Sequence, residues 1–336
     1  MDVDAFVASR SPQWVRLGQL SRRARRPRRM TGPEIDELVQ LYQRAATDLS
    51  TVRSATPDPA LIGRLSRLVA DARSSVTGPH GGAWVNAQHF VTVRFPGQLH
   101  RLWRWWVSVG VVFIAVSLAM GFWIATHRHV QDSLAPPDAV KALVGHDFKS
   151  YYSDHPAHDF AFHVWVNNAW VAALSLVSGV FLGIPTVYLM LQNAANAGVD
   201  GGYMAAAGHT GEFFGLLLPH GTLELTALFI SAGVGLKLGW TVVDPGPRRR
   251  TDALAEEGRA AGAVAIGLVG VLAISGILEG FVTPSPLPTW ARLAIGIGVW
   301  CAFMAYIVVL GGRAVRAGET GDVSLDLRAQ TAPVAA

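Results

Sequence analysis

Charge is what this sequence has little of: Asp, Glu, Lys and Arg together make up 15% of its 336 residues, against roughly 25% in soluble domains. Hydrophobic residues make up 51%. Too few charged groups remain to clothe a water-exposed surface of this size, so the composition excludes an ordinary soluble protein and reads as an integral membrane protein. Cysteine is scarcer still. Cys301 stands alone in an apolar segment, which excludes an intrachain disulfide and a cysteine-based metal cluster and leaves thiol redox chemistry without a basis. An apolar core near the N-terminus is also missing. MDVDAFVASRSPQWVRL carries early acids, so no cleavable signal peptide is expected and insertion rests on internal spans. There is no nucleotide-binding loop and no internal repeat, so an ATPase would have to be a partner.

What charge there is gathers at the front. Residues 1–104 read as a basic, helical, soluble head with a juxtamembrane segment, residues 105–312 as a helical membrane domain, and residues 313–336 as a disordered tail. In the head a first helix is expected over Val3 to Leu20. Thr31-Gly32-Pro33-Glu34 is a capping box with an early proline, opening a second helix with Ile35, Leu38, Val39, Tyr42, Ala46, Leu49 and Val52 at helical spacing. A third follows from Pro59, with Leu61, Ile62, Leu65, Leu68, Val69, Ala72 and Val76 on one stripe, and stops at Gly78-Pro79-His80-Gly81-Gly82. Between the first two lies SRRARRPRR, in which Arg22, Arg23, Arg25, Arg26, Arg28 and Arg29 read either as a contact with anionic lipid or an acidic partner, or as a solvated linker. Nucleic acid is not an expected partner, because no interleaved aromatic platform accompanies the charge.

Residues 84–106 mix arginine, histidine and tryptophan as a membrane interface does, with Trp103, Trp105 and Trp106 in the headgroup layer and Arg94, Arg101 and Arg104 on its cytoplasmic side. A first span is expected over 105–125 and a second over 163–192, kinked at Gly183-Ile184-Pro185 and carrying the polar pair Asn167 and Asn168. The stretch between them, 126–162, holds five of the eleven histidines (His127, His129, His146, His155, His158) and reads as an outer loop whose histidines are solvated. Keeping the arginines at 248–250 on the cytoplasmic side then requires an extra crossing. Residues 203–218 are expected to supply it as a short or re-entrant segment, with Pro219-His220-Gly221 as a break and 222–240 returning inward, Lys237 snorkelling at the inner end. Spans over 259–282 and 290–311 complete about six membrane segments, and both termini are expected in the cytoplasm of a bacterial membrane protein.

The residues that invite chemistry are Pro219, His220, Gly221 and Glu224, with Glu279 expected at the same depth from the next span. Ionisable groups inside a membrane are costly, so they are paired or functional. Three readings stand side by side. The group can simply cap and stabilise a helix start; it can be a buried polar hinge; or it can hold a metal or do catalysis. No metal is assigned, because His-Gly-Thr-Leu-Glu lacks the second histidine of the His-Glu-x-x-His pattern. No cofactor is expected. The spacings Gly179-x-x-x-Gly183, Gly235-x-x-x-Gly239 and Gly258-x-x-x-Gly262 allow close helix contact, expected within one chain although a homodimer is compatible with them.

PHGTLELTALFISAGVGLKLG, with ELVQLYQRAATDLSTVRS, NNAWVAALSLVSGVFLGIPTVYLMLQN and ILEGFVTPSP, resembles the stage II sporulation protein M family over about residues 1–312. That resemblance implies a membrane anchor that assembles peptidoglycan-degrading partners during engulfment. In relatives from non-sporulating bacteria it implies a membrane component linked to MoxR-type ATPases. It supplies no catalytic residue. The expected function is therefore a non-catalytic membrane scaffold, not an enzyme, that organises cell-envelope or peptidoglycan-remodelling partners and touches membrane lipids. The alternatives are a permease-like transporter subunit with a separate ATPase and an intramembrane metal-dependent hydrolase.

Overall fold

In a computed structural model of the chain, the described residues are 3–24, 30–55, 58–77, 83–134, 136, 140 and 157–318. Every regular element among them is helical, and they divide into two compact units after Asn86.

The first unit is built from α1 (Val3–Ala24), α2 (Gly32–Ala55) and α3 (Pro59–Thr77). The capping box forms: the Thr31 amide donates to Glu34 Oε2 at 2.9 Å, so one of the orphan amides at the start of α2 is satisfied. Asp58 starts α3, its Oδ1 accepting from the amides of Ala60 at 2.9 Å and Leu61 at 3.4 Å. Trp14, Leu17 and Leu20, Leu38, Ala45, Leu49 and Val52, and Leu61, Leu65 and Ala72 form the shared core. Burying such a leucine stabilises by about 1.5–3 kcal/mol. Ile35 lies outside it and is exposed, because the inward face of α2 is centred on Leu38, Ala45 and Val52. Polar groups also enter this core, among them Ser21 and Asp48. Asp48 is buried and accepts from Trp14 Nε1 at 2.9 Å, with Arg10 Nε at 3.7 Å.

α1 extends past the expected Leu20 and takes Arg22 and Arg23 into its last turn. Both are exposed, and Arg23 pairs with Glu34 at 2.6 Å. Arg25, Arg26, Arg28 and Arg29 lie outside the described residues, as do His146, His155 and residues 319–336 of the expected tail.

The second unit opens with α4 (Ala83–His89), which straddles the division, followed by a π turn (Phe90–Arg94), α5 (Phe95–Arg101), α6 (Trp103–Thr126) and α7 (Arg128–Leu134). It continues with α8 (Ala157–Val177), a 3₁₀ turn (Ser178–Val180), α9 (Ile184–Ala206) and α10 (Thr210–Val243). α11 (Arg250–Ile277) runs into a π turn (Leu278–Val282), and α12 (Thr289–Tyr306) into another (Ile307–Gly311) and then α13 (Gly312–Arg316). Among the described residues, four stretches are long and apolar enough to cross a membrane: Trp103–Thr126, Thr210–Val243, Arg250–Val282 and Thr289–Arg316. α10 is the axis of the unit, touching α6, α8, α9, α11 and α12. Its Leu223, Ala227, Ile230 and Val234 meet Val264, Leu268 and Leu272 of α11 in the core. Large apolar side chains such as Leu118, Phe122, Trp170, Ile266 and Trp290 point outward instead, as lipid-facing residues do.

Three sequence expectations need correction. The juxtamembrane segment belongs with the membrane unit rather than the head, because Phe95, Leu99 and Leu102 are buried in that unit's core and Gly97 faces Ala314. The expected second span is two helices, not one kinked helix. Leu182 (φ 56°) and Gly183 (φ 74°) adopt left-handed backbone between α8 and α9, which reverses the chain. Direction follows from contacts. Gly179 and Gly183 meet Gly239 near one end of α10, while Gly201 of α9 meets Phe213 near the other, so α8 and α9 are antiparallel neighbours. The third correction concerns Pro219-His220-Gly221, which does not break the helix. α10 runs through it, and residues 203–218 are split between the end of α9 and the start of α10. Proline removes one helical amide, and within a packed helical bundle neighbouring helices tolerate that loss. Here Gly296 of α12, having no side chain, lies directly against the Pro219 backbone.

Candidate functional site

His220 and Glu224 sit one turn apart on the same face of α10, and Glu279 arrives from the π turn that ends α11. His220 Nε2 lies 3.8 Å from Glu279 Oε1. One nitrogen or oxygen from each of His220, Glu224 and Glu279 falls within 4.8 Å of the other two. His220 and Glu279 are each 3% exposed, and Glu224 is half-buried. The π turn matters to this arrangement. The Thr283 amide donates to Leu278 O at 2.9 Å, a five-residue step that widens the turn and carries Glu279 towards α10.

Hydrogen bonds fix the imidazole. His220 Nδ1 and Thr283 Oγ1 are 3.1 Å apart, and Thr283 Oγ1 is 3.3 Å from Leu278 O. A carbonyl can only accept, so the hydroxyl donates to Leu278 and accepts from Nδ1–H, leaving the lone pair on Nε2. That lone pair faces the carboxylates. Ser275 Oγ also donates to the His220 carbonyl at 3.2 Å, tying α11 to α10 beside the cluster. Glu279 Oε2 is buried without a hydrogen-bond partner, and among the described residues no lysine or arginine pairs with Glu224 or Glu279. A buried oxygen in that state costs about 1–3 kcal/mol.

Of the residues the sequence singles out, His220, Glu224 and Glu279 converge, and Pro219 and Gly221 frame them as buried positions on α10. Asn167 and Asn168 do not join them; on α8 the first is exposed and the second half-buried. Sequence reasoning passes over Thr283, Ser275, Arg292 and Trp300. Arg292 donates to Thr283 O at 2.6 Å and Trp300 Nε1 to Thr226 Oγ1 at 2.9 Å, so α12 braces both sides of the site. The available signal was an arginine and a tryptophan at helical spacing in an otherwise apolar span.

The apolar helices, the π turn and the buried His/Glu cluster define an all-α membrane protein with a polar site inside its helical unit. The sequence matches the family described as Stage II sporulation protein M over residues 110–284, more than half of its length, and the chain belongs to that family. The head matches a different one, described as Domain of unknown function (DUF8413), over residues 4–78. The resemblance of ELVQLYQRAATDLSTVRS to an N-terminal segment of the first family is replaced by this match. No curated protein and no solved structure matches the chain.

Proposed function

We propose that the protein is a non-catalytic membrane scaffold, in which the head docks a partner and the membrane unit anchors it. The observation that carries this reading is the two-unit division itself. The head has its own core, while Arg44, Arg64, Arg67 and Arg73 stand on its exposed surface. A separately packed module on a membrane unit is what an anchor for assembly requires. The partner we propose is a peptidoglycan-remodelling enzyme or a MoxR-type ATPase, the two that the sequence resemblance implies.

The membrane unit is multi-pass, with the N-terminus, the 247–250 loop and the C-terminus in the cytoplasm of a bacterial membrane. Charge sorting supports this. One end of the helical unit gathers Arg101 paired with Glu257, Trp105 beside Trp240, Lys237 over the Trp105 ring, and Arg313 and Arg316 on α13 next to α5. Basic and tryptophan side chains at one end fit the inner interface. His220, Glu224 and Glu279 serve as a polar joint between α10 and α11 rather than as an active site. Chemical crosslinking of native membranes followed by capture of the chain tests the scaffold reading. The full chain is expected to recover the remodelling enzyme or the ATPase, and a chain lacking residues 1–86 is not.

A further inference from the structure

We propose that His220, Glu224 and Glu279 form a binding site for one divalent transition-metal ion of the zinc class. This goes beyond the scaffold reading and does not depend on it. Three observations point the same way. His220 Nε2 and Glu279 Oε1 are 3.8 Å apart, too far for a hydrogen bond. Zinc bonds of about 2.0–2.2 Å put neighbouring donors roughly 3.2–3.5 Å apart, so a small side-chain adjustment closes the pair on an ion. The Thr283 contact to Nδ1 holds the ring in the tautomer whose Nε2 carries a lone pair, the arrangement by which a hydroxyl or carbonyl orients a ligating histidine. Finally, Glu279 Oε2 is buried without a hydrogen-bond partner beside a second carboxylate, and among the described residues no lysine or arginine pairs with either.

A cation resolves all three at once. It accepts the imidazole lone pair, separates two like-charged groups, and occupies the side of Glu279 that the protein leaves unsatisfied. An imidazole among the donors favours zinc, iron, nickel or copper over magnesium and calcium, which prefer all-oxygen sites. With three protein donors a fourth position remains for water, on the side where Glu224 is half-buried. The ion would bridge α10 and α11 across Ser275 and Thr283.

The test uses the full chain, purified in detergent through a tag without histidine, exposed to zinc and then freed of loose metal by gel filtration. Elemental analysis is expected to find about one zinc per chain, with cobalt able to take its place. Glu224→Gln, which disturbs no hydrogen bond of the described residues, is expected to reduce retention at least tenfold while the chain stays folded, and Glu279→Gln to do the same. Thr283→Val is expected to weaken affinity by about 10–100-fold. A variant with His127→Ala and His129→Ala, which removes the exposed neighbouring pair, is expected to keep its metal. Zinc is expected to raise the melting temperature of the parent chain and not that of Glu224→Gln. Equal zinc retention by the parent and by the doubly substituted Glu224→Gln, Glu279→Gln chain would assign the metal to adventitious sites and overturn the proposal. So would a parent chain that binds neither zinc nor cobalt and melts at the same temperature with and without them.

Discussion

Gly179 of the 3₁₀ turn after α8 and Gly235 of α10 touch backbone to backbone, so closely that a Cβ on Gly179 would overlap the Gly235 carbonyl. A Cβ on Gly235 would lie 2.6 Å from Ser175 O, and one on Gly239 would lie 2.5 Å from Gly179 O. Ser231 seals the same seam by donating to the Ala172 carbonyl. In a membrane such contact is the main source of helix association, because lipid tails are as apolar as the side chains. Two of the three spaced glycine pairs thus interlock within one chain. Gly258 and Gly262 face open space.

Gly179→Ala and Gly235→Ala are therefore expected to destabilise the membrane unit by about 1–3 kcal/mol each, and leucine at either position to prevent folding. Gly258→Ala and Gly262→Ala are expected to be neutral or slightly stabilising, since alanine is the better helix former. Thermal unfolding in detergent checks the contrast.

Arg101 and Glu257 form a two-bonded ion pair, at 3.1 and 2.7 Å, in which Glu257 is 4% exposed. Removing Arg101 leaves a buried carboxylate uncompensated, so Arg101→Ala is expected to cost about 3 kcal/mol. Arg101→Ala with Glu257→Ala should cost less than the sum of the single changes. Additive losses in denaturation of the purified chain would contradict the pairing.

In the head, Glu34 and Glu37 are both held below the ordinary glutamate value of 4.5, Glu34 chiefly by the Thr31 amide and Glu37 by its hydrogen bond from Arg16. A depressed carboxyl stabilises the fold above its unfolded value and loses that contribution as pH falls through the lower folded value. A fragment of residues 1–86 is expected to keep a constant urea midpoint from pH 7 down to about pH 5 and to lose stability below pH 4.5. Tryptophan fluorescence follows it, since Trp14 is buried in the core. Asp48→Ala, which strands the Trp14 indole N–H, is expected to cost about 1–3 kcal/mol at neutral pH.

The proposed topology makes a separate prediction. In a chain without Cys301, a cysteine at Arg249 is expected to resist an impermeant reagent added outside the cell, and one at Leu287, in the loop before α12, to react. Labelling of position 249 from outside would reverse the orientation.

Much of this was legible in the sequence because it rests on local rules. Thr31 and Glu34 announce the start of α2, Pro59 that of α3, and an apolar run preceded by tryptophans announces α6. The meeting of His220 and Glu224 with Glu279 was legible as a shared depth of three ionisable residues in apolar helices. The chain reversal at Leu182 and Gly183 was not. A left-handed leucine has no sequence signal, and the Gly-Ile-Pro that follows reads equally as a kink. Pro219 misled in the opposite direction: its missing amide argues for a break, but the close approach of α12 at Gly296 is a long-range fact that local rules do not contain. Thr283 and Ser275 were missed for the same reason, since their roles depend on which carbonyl and ring face them across two helices.

The central claim is that the head docks a partner which the membrane unit holds in place. Quantitative mass spectrometry of captures from crosslinked membranes tests it most directly, comparing the full chain with the chain lacking residues 1–86. The account predicts that the peptidoglycan-remodelling enzyme or MoxR-type ATPase recovered with the full chain disappears when the head is removed, and that the 1–86 fragment alone binds the same partner. Undiminished recovery of that partner by the head-deleted chain would contradict it.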